Sequence, residues 1–428
     1  MSGFPWVMIG SALSLWLKDS DLSRSTIGWA GLIFGVYAIN FLWSPLVDRI
    51  HIPYLSKKIG HRKSWIIAMQ TLILFSLILW STLNPSENLW LVIAVGLGIA
   101  ISSATQDITI DALRIEQIGE KEEGAMAAGA AISVVGWWTG YKIGGVISLV
   151  SANFFQVKGF ENYWQLSFLL LGLIVVLTSV TLIFVPEKSA TQRKLLQSKN
   201  DSQITNKIII KNKFSHIIAL LYGAIVNPLL SFFKKNSFSV AVGILSFIFL
   251  FKIGEAFLGR MSIIFYNEIG FSKNDIALYS KGIGWITTIT FTLLGGLFAI
   301  RMGLLKAMFA SGILMALTNL MFSVLAWVGP SEVLFAFTVL IDDLAAAFAT
   351  VAFVGFISAL VDRTYTATQY ALLASIGTAG RTLFASSSGT LVDWLNGDWG
   401  VFFIITAIMV IPSLLCLYAI KNKLKLNE

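Results

Sequence analysis

The chain has 428 residues, 56% of them hydrophobic and only 13% charged, with a formal net charge of +8, and its mean hydropathy is +0.78. Soluble domains carry roughly twice that charged fraction, and about 20 apolar residues make one membrane crossing. The composition therefore excludes an ordinary soluble enzyme and describes an all-α polytopic membrane protein. Cys416 is the single cysteine, and His51, His61 and His216 have no ligand spacing, so neither a disulfide nor a metal site is expected.

Apolar runs separated by short polar breaks predict spans at about 4–17, 27–47, 64–83, 89–113, 124–151, 164–185, 238–266, 275–300, 303–328, 332–361, 367–394 and 399–420. The first holds about 14 apolar residues, too few to cross alone, and reads as a helix lacking a turn or two at the start of this chain. Met1–Gly3 has no basic region and no small-residue cleavage site follows, so a removable signal peptide is not expected. Basic residues fix the orientation. Arg49, Lys57, Lys58, Arg62, Lys63, Arg114, Lys121, the cluster from Lys188 to Lys235, Arg301, Lys306, Arg363, Lys421, Lys423 and Lys425 follow even-numbered spans; Lys18, Arg24, Lys158 and Lys273 follow odd-numbered ones. By the positive-inside rule both termini are cytoplasmic. The net charge is a topology signal with contact to lipid headgroups, not a nucleic-acid surface.

Six spans precede and six follow a polar stretch, giving an N-terminal bundle over 1–185, a cytoplasmic linker over 186–237 and a C-terminal bundle over 238–428. Within the linker, FSHIIALLYGAIVNPLLSFFKK is apolar, broken by Pro228, and suits an interfacial helix. The layout suggests two homologous six-helix bundles. Between the second and third spans, FLWSPLVDR and KKIGHRKSW are echoed in the second half by GGLFAIRMGLLKAM. These loops resemble the loop motif of the major facilitator superfamily. Asp48, Arg49 and Arg62 are then candidate gating residues; the alternative is that they only orient the chain.

Ionisable residues inside spans are costly and mark function. In the fourth span, SSATQDITIDALRIE places Asp107 and Asp111 on one face. At 1.5 Å per residue Asp107 is about 27 Å along, still inside the core, and Asp111 about 33 Å, at the interface. Asp107, beside Gln106, is a proton-coupling candidate. Asp111 is a gating candidate or a structural bridge, with Arg49, Arg62 and Arg114 in reach. The fifth span carries Trp137, Trp138, Tyr141 and Lys142; this set suits sugar stacking or cation–π contact, or Lys142 snorkels to the interface. Gly140, Gly144 and Gly145 read as close helix packing. In the seventh, FKIGEAFLGR puts Lys252 and Glu255 three apart on one face, as a structural pair or as substrate and proton groups, with Arg260 interfacial. Lys281 lies in the eighth span, Asp342 and Asp343 at mid-membrane in the tenth, and Arg381 in the eleventh. Asp342 and Arg381 are expected to pair as a two-state latch. A solvated cavity of mixed charge explains these groups together, with cations meeting substrate carboxylates and a carboxylate carrying a proton.

SGFPWVMIGSALSLWL, TIGWAGLIFGVYAINFLWSPLVDR, SSATQDITIDALRIE, FKIGEAFLGR and TYTATQYALLASIGTAGR, in this order, resemble AmpG-type muropeptide permeases. These belong to the major facilitator superfamily and are relatives of the acetyl-CoA transporter group. The resemblance covers nearly the whole chain; the S-x-T-Q-D-x-x-x-D-A and F-L-W-S-P-L-x-D-R segments are its most specific parts. The chain departs from the family in its short first span and long central insertion. The resemblance implies a non-enzymatic secondary transporter of the bacterial inner membrane, importing N-acetylglucosaminyl-anhydromuramyl peptides from periplasm to cytoplasm. Its driving force is the proton gradient, with no cofactor. It draws attention to Asp107, Asp111, Lys252, Glu255, Lys281, Gln369 and Arg381. Proton coupling is expected at Asp107, Glu255 and Asp342. Lys142, Lys252, Lys281 and Arg381 would hold carboxylates, Gln106 and Gln369 polar substrate groups, and Trp137, Trp138 and Trp285 sugar rings. A monomer is expected. The rival readings are a superfamily transporter of another anionic or drug-like solute and a nontransporting membrane sensor. An intramembrane enzyme would need a convergent nucleophile and base, and none is visible.

Overall fold

The computed structural model describes residues 2–22, 26, 30–118, 124–182, 184–187, 228–271, 284–385 and 387–424. Among these residues every regular element is helical. This is the expected outcome for a chain dominated by apolar runs, because a helix satisfies its own backbone groups in lipid. The helices fall into segments that match the twelve expected spans. Seven of the described helices are long and apolar enough to cross a membrane.

The segments differ in regularity, and sequence gives the reason. The first is built from Phe4–Val7, a π-helical turn Met8–Ala12, and Leu13–Asp19. The second is broken into 3₁₀ and α pieces: Gly31–Gly35, Val36–Ile39, Asn40–Leu42 and Ser44–Arg49, the last opened by Pro45 in its first turn. Gly60, at φ 103°, starts the third, His61–Trp80, in a backbone conformation that a side chain would oppose. The fourth, Pro85–Gln117, carries non-helical angles at Asn88 and runs past its apolar stretch to include Glu116. Ala125–Val157 and Tyr163–Leu182 follow.

In the second half, the seventh segment is interrupted between Phe238–Leu250 and Ile253–Glu268, with Lys252 at the break. Gly284–Met302, Leu304–Val328 and Glu332–Leu360 come next. The eleventh comprises Thr366–Ala385 and Ser388–Trp394; the twelfth comprises Trp399–Ile408 and Ile411–Ile420. Of the linker, 186–187 and 228–237 are described, and 228–235 is helical. The remainder of the expected interfacial helix lies outside the described residues.

The chain divides into two compact units: residues 1–117, 136–229 and 362–371 form one, and residues 118–135, 230–361 and 372–428 the other. Residues 362–371 thus cluster with the first unit although they lie late in the chain. The core of the first unit is aromatic. Trp16 meets Trp80 and Phe168 at ring distances of 5.8 and 4.9 Å, all three buried. Close backbone approach holds the first and fifth segments together. A Cβ at Gly3 would strike the Trp137 carbonyl, and one at Gly144 would lie 2.6 Å from the Phe4 ring. Gly140 also faces Phe4, whereas Gly145 has open space around it, so the packing role belongs to the first two only. The second unit has its own buried ring cluster at Phe265, Phe322, Phe335, Phe402 and Phe403. Such rings supply both apolar area and edge-to-face contacts.

Candidate functional site

The first unit contains an ionic knot built on the loop after the second segment. Arg62 is fully buried and donates from Nη2 to Asp48 at 2.6 Å and to Glu116 at 2.7 Å. Its Nη1 donates to the Val47 carbonyl at 3.0 Å and its Nε to Glu116 at 3.2 Å. Asp48 in turn accepts from the backbone N–H and the hydroxyl of Thr368, at 2.9 and 2.6 Å, and from the N–H of Ala367 at 3.3 Å. These two N–H groups belong to the opening turn of Thr366–Ala385, where amides lack helical partners and a carboxylate is favoured. A second carboxylate, Glu187, accepts from the N–H groups of Arg62 and Lys63 at 2.8 and 3.1 Å, capping the third segment. Val47, Ile108, Ala112, Ala367 and Ala371 pack beside the knot.

Of the other gating candidates, Arg49 ends Ser44–Arg49, half-buried. Asp111 accepts from Arg114 at 2.9 Å, so among the basic residues in reach the ion pair falls to its own helix. Gln369 accepts from the Asp362 N–H at 2.6 Å and donates to the Pro228 carbonyl at 2.9 Å. Its amide is committed to the chain's own backbone.

A different environment surrounds Asp107. Tyr37 lies near Ser103 and Asp107. The buried atoms Trp6 Nε1, Gln106 Oε1 and Nε2, and Asp107 Oδ1 all lack a hydrogen-bond partner among the described residues. Buried polar groups are nearly always paired, and these four atoms set the surroundings of Asp107 apart from the satisfied knot. Aromatic rings adjoin it. Trp6 contacts Phe34, Tyr37 and Trp137 at 4.8, 4.7 and 5.7 Å, and Trp137 stacks on Tyr141 at 5.4 Å. Trp138 lies edge-on to Trp137 at 5.1 Å, and Lys142 Nζ stands 5.8 Å from the Trp138 ring. Trp6 and Tyr37 were hidden from a sequence reading because both sit in apolar runs; only the breaks in the second segment hint that its face is special.

In the second unit the helix break at Lys252 is matched by a tight pair. Lys252 Nζ lies 2.9 Å from Glu255 and donates to Thr350 Oγ1 at 2.8 Å. Asp342 accepts from Thr318 at 3.2 Å, and Asp343 from Thr287 at 2.8 Å. The expected Asp342–Arg381 pair is not formed among the described residues. Arg381 instead lines a cleft of about 280 Å³ with Ala256, Gly259, Arg260 and Ala385. Arg260, expected at the interface, shares that cleft. Lys281 and the side chain of Trp285 lie outside the described residues.

These features fit a transporter, and comparison with known proteins agrees. The Major Facilitator Superfamily matches residues 1–279. A Rickettsia felis transporter named AmpG 4 is 33% identical over 424 residues, covering 99% of this chain and 94% of its own. The same organism's AmpG 1 is 31% identical over 434 residues, with 99% and 97% covered. The anhydromuropeptide permease of Escherichia coli K12 is 28% identical over 426 residues, with 99% of this chain and 78% of that protein covered. Among solved structures, the proton:xylose symporter XylE bound to 6-bromo-6-deoxy-D-glucose superposes with a TM-score of 0.67 at 14% identity, covering 100% of this chain and 94% of that one. The human organic anion transporter MFSD10 does so at 0.57 and 16% identity, covering 96% and 89%. These two show the fold alone. The chain is a multi-pass membrane protein of the major facilitator superfamily and belongs with its AmpG-type transporters.

Proposed function

We propose that this protein imports anhydromuropeptides from periplasm to cytoplasm across the bacterial inner membrane, by alternating access coupled to the proton gradient. The observation that carries the reading is the unpaired polar set around Asp107, beside the Trp6–Trp137–Tyr141 rings, in a chain similar along its length to an anhydromuropeptide permease. Rings suit the faces of amino sugars, and unpaired donors and acceptors suit their hydroxyl and amide groups. Both termini are taken as cytoplasmic, the working unit as a monomer, and residues 1–185 and 238–428 as homologous bundles joined by 186–237.

Proton coupling follows from charge. An ionised carboxylate without a partner is unstable in a water-poor site, so Asp107 takes up a proton, or water and substrate that neutralise it. Glu255 offers a second step: protonated, it no longer holds Lys252, which is then released toward a substrate anion. Asp342, held by a single threonine hydroxyl, is the third candidate carrier. The Asp48–Arg62–Glu116 knot, fastened to the first turn of the eleventh segment, acts as the gate, because its bonds to residues 367 and 368 must break for that turn to move. The test is uptake of labelled anhydromuropeptide by proteoliposomes. Accumulation rises with an inward proton gradient and collapses with a protonophore. Gradient-independent accumulation sinks the coupling, and absence of uptake sinks the substrate.

A second reading, transport of another anionic solute, is supported by the presence of two such relatives, AmpG 4 and AmpG 1, in Rickettsia felis, since paralogues in one cell can divide substrates between them. Competition of a solute panel against anhydromuropeptide separates the two.

A further inference from the structure

The cations of this protein are not equally available. Lys252 is occupied by Glu255 and Thr350. Lys142 sits against the Trp138 ring. Arg260 and Arg381 are exposed, and neither joins an ion pair or hydrogen bond among the described residues. They come from separate helices, Ile253–Glu268 and Thr366–Ala385, yet line one cleft.

The cleft is shaped by small residues. Ala256, Gly259 and Ala385 are its other walls, and a Cβ at Gly259 would meet nothing within 4 Å, so the space above that backbone is open. Its width is fixed nearby. A Cβ at Gly380 would strike the Phe249 carbonyl, and Phe249 meets Phe384 edge-on at 5.7 Å, so the two segments are locked in close contact one residue before Arg381. Among the described residues no carboxylate lines the cleft, and the acids of this unit nearest in role are engaged elsewhere: Glu255 with Lys252, Asp342 with Thr318, Asp343 with Thr287. Two guanidinium groups with no counter-ion among the described residues repel each other and are costly at membrane depth. Each offers a planar fork of donors that fits a carboxylate through two parallel bonds.

We propose that Arg260 and Arg381 together form the carboxylate-recognition subsite, taking the carboxylate-bearing peptide end of the substrate over Gly259. The assignment rests on the muropeptide reading above and adds to it: Arg260 is a binding residue, and Lys252 is not the first cation that the substrate meets.

The test compares R260Q, R381Q and G259L with the parent protein in proteoliposomes. The substrates are anhydromuropeptide and the same compound with its peptide carboxylates amidated. Charge-assisted bonds of this kind are worth about tenfold to a hundredfold in affinity each. R260Q and R381Q are therefore each expected to raise KM for the acid about tenfold or more, with less than about a twofold change for the amide, whereas G259L, which fills the cleft, is expected to raise KM for both. R260K should recover part of the loss, because it restores the charge without the fork. Equal losses on acid and amide in R260Q and R381Q, or unchanged KM for the acid in these or in G259L, overturn the subsite. Should the parent protein fail to take up anhydromuropeptide, the muropeptide reading falls and the cleft is judged separately, by binding of glutarate to the purified protein. Weaker binding by R260Q and R381Q then supports it, and parent-like binding overturns it. If G259L does not insert, the R260K and R260Q pair decides the outcome.

Discussion

Asp48 and Asp107 are aspartates of the same compact unit, and their surroundings are opposite. Asp48 is buried with every oxygen engaged, by Arg62, Ala367 and Thr368. Asp107 has a buried oxygen with no partner, next to Gln106, whose amide has none either. The fourth segment serves both places, because Glu116 completes the knot one end of a helix away from Asp107. A satisfied network holds a conformation and is expensive to break; an unsatisfied one fixes little and carries a desolvation cost. On the proposed function, the difference would separate groups that fix a state of the transporter from groups that meet its cargo.

The largest test of that division is at Arg62. Removing it in R62A strands two carboxylates in a buried site, which costs about 3–5 kcal/mol. Thermal unfolding in detergent should show a drop of this order, with loss of uptake. A variant that melts like the parent would mean that the knot is solvated and stores little. Next comes Glu255, in the other unit, where an ion pair is satisfied but one partner is partly exposed. E255Q leaves Lys252 with neutral acceptors only, the amide oxygen and Thr350, and should cost about 1–3 kcal/mol while abolishing gradient-driven accumulation. If stability falls and accumulation survives, the pair is structural, like the knot, and Glu255 carries no proton.

How much of this was legible in the sequence depends on whether the interaction was local. Lys252 and Glu255 are three residues apart on a helix, so their pairing could be read directly, as could Asp111 with Arg114 as one of three partners. The twelve spans were also readable, since apolar runs and polar breaks report membrane depth. What depth does not report is azimuth. Asp342 and Arg381 have suitable depths but face different neighbours, Thr318 and the Arg260 cleft. The knot was half visible: Asp48, Arg49, His61, Arg62 and Lys63 stand out as loop charges. Its other partners lie 54, 125 and 320 residues away along the chain, at Glu116, Glu187 and Thr368. The interruption of the seventh segment at Lys252 was not read either, because FKIG is apolar enough to pass for continuous helix.

Asp107 gives the inverse expectation to Arg62. D107N removes a charge that no described group supports, so stability should hold within about 1 kcal/mol or rise. Transport should change in kind: substrate exchange persists while accumulation against a gradient is lost. Counterflow and gradient-driven uptake, measured on the same vesicles, separate these outcomes. Loss of stability in D107N would place Asp107 with Asp48 and erase the contrast between the two sites; retained accumulation would remove it as the coupling residue.

The smallest effect is expected between those extremes, at Asp111 and Arg114. Their pair closes at 2.9 Å, but both side chains keep some exposure, 19% and 13%. Partly solvated pairs of this kind contribute roughly 0.2–1 kcal/mol, well below the knot, so R114Q and D111N should each shift the melting transition slightly. The double variant should lose less than the sum, because each single change already breaks the pair. High salt should weaken the parent toward the variants, since exposed charges are screened, while leaving the buried Asp48–Arg62 contact intact. A salt-insensitive pair, or a loss as large as that of R62A, would mean that Asp111 belongs to the gate. A small salt-sensitive loss with unaltered uptake leaves the gate to the knot alone, one helical turn further on, where Arg62 meets Glu116.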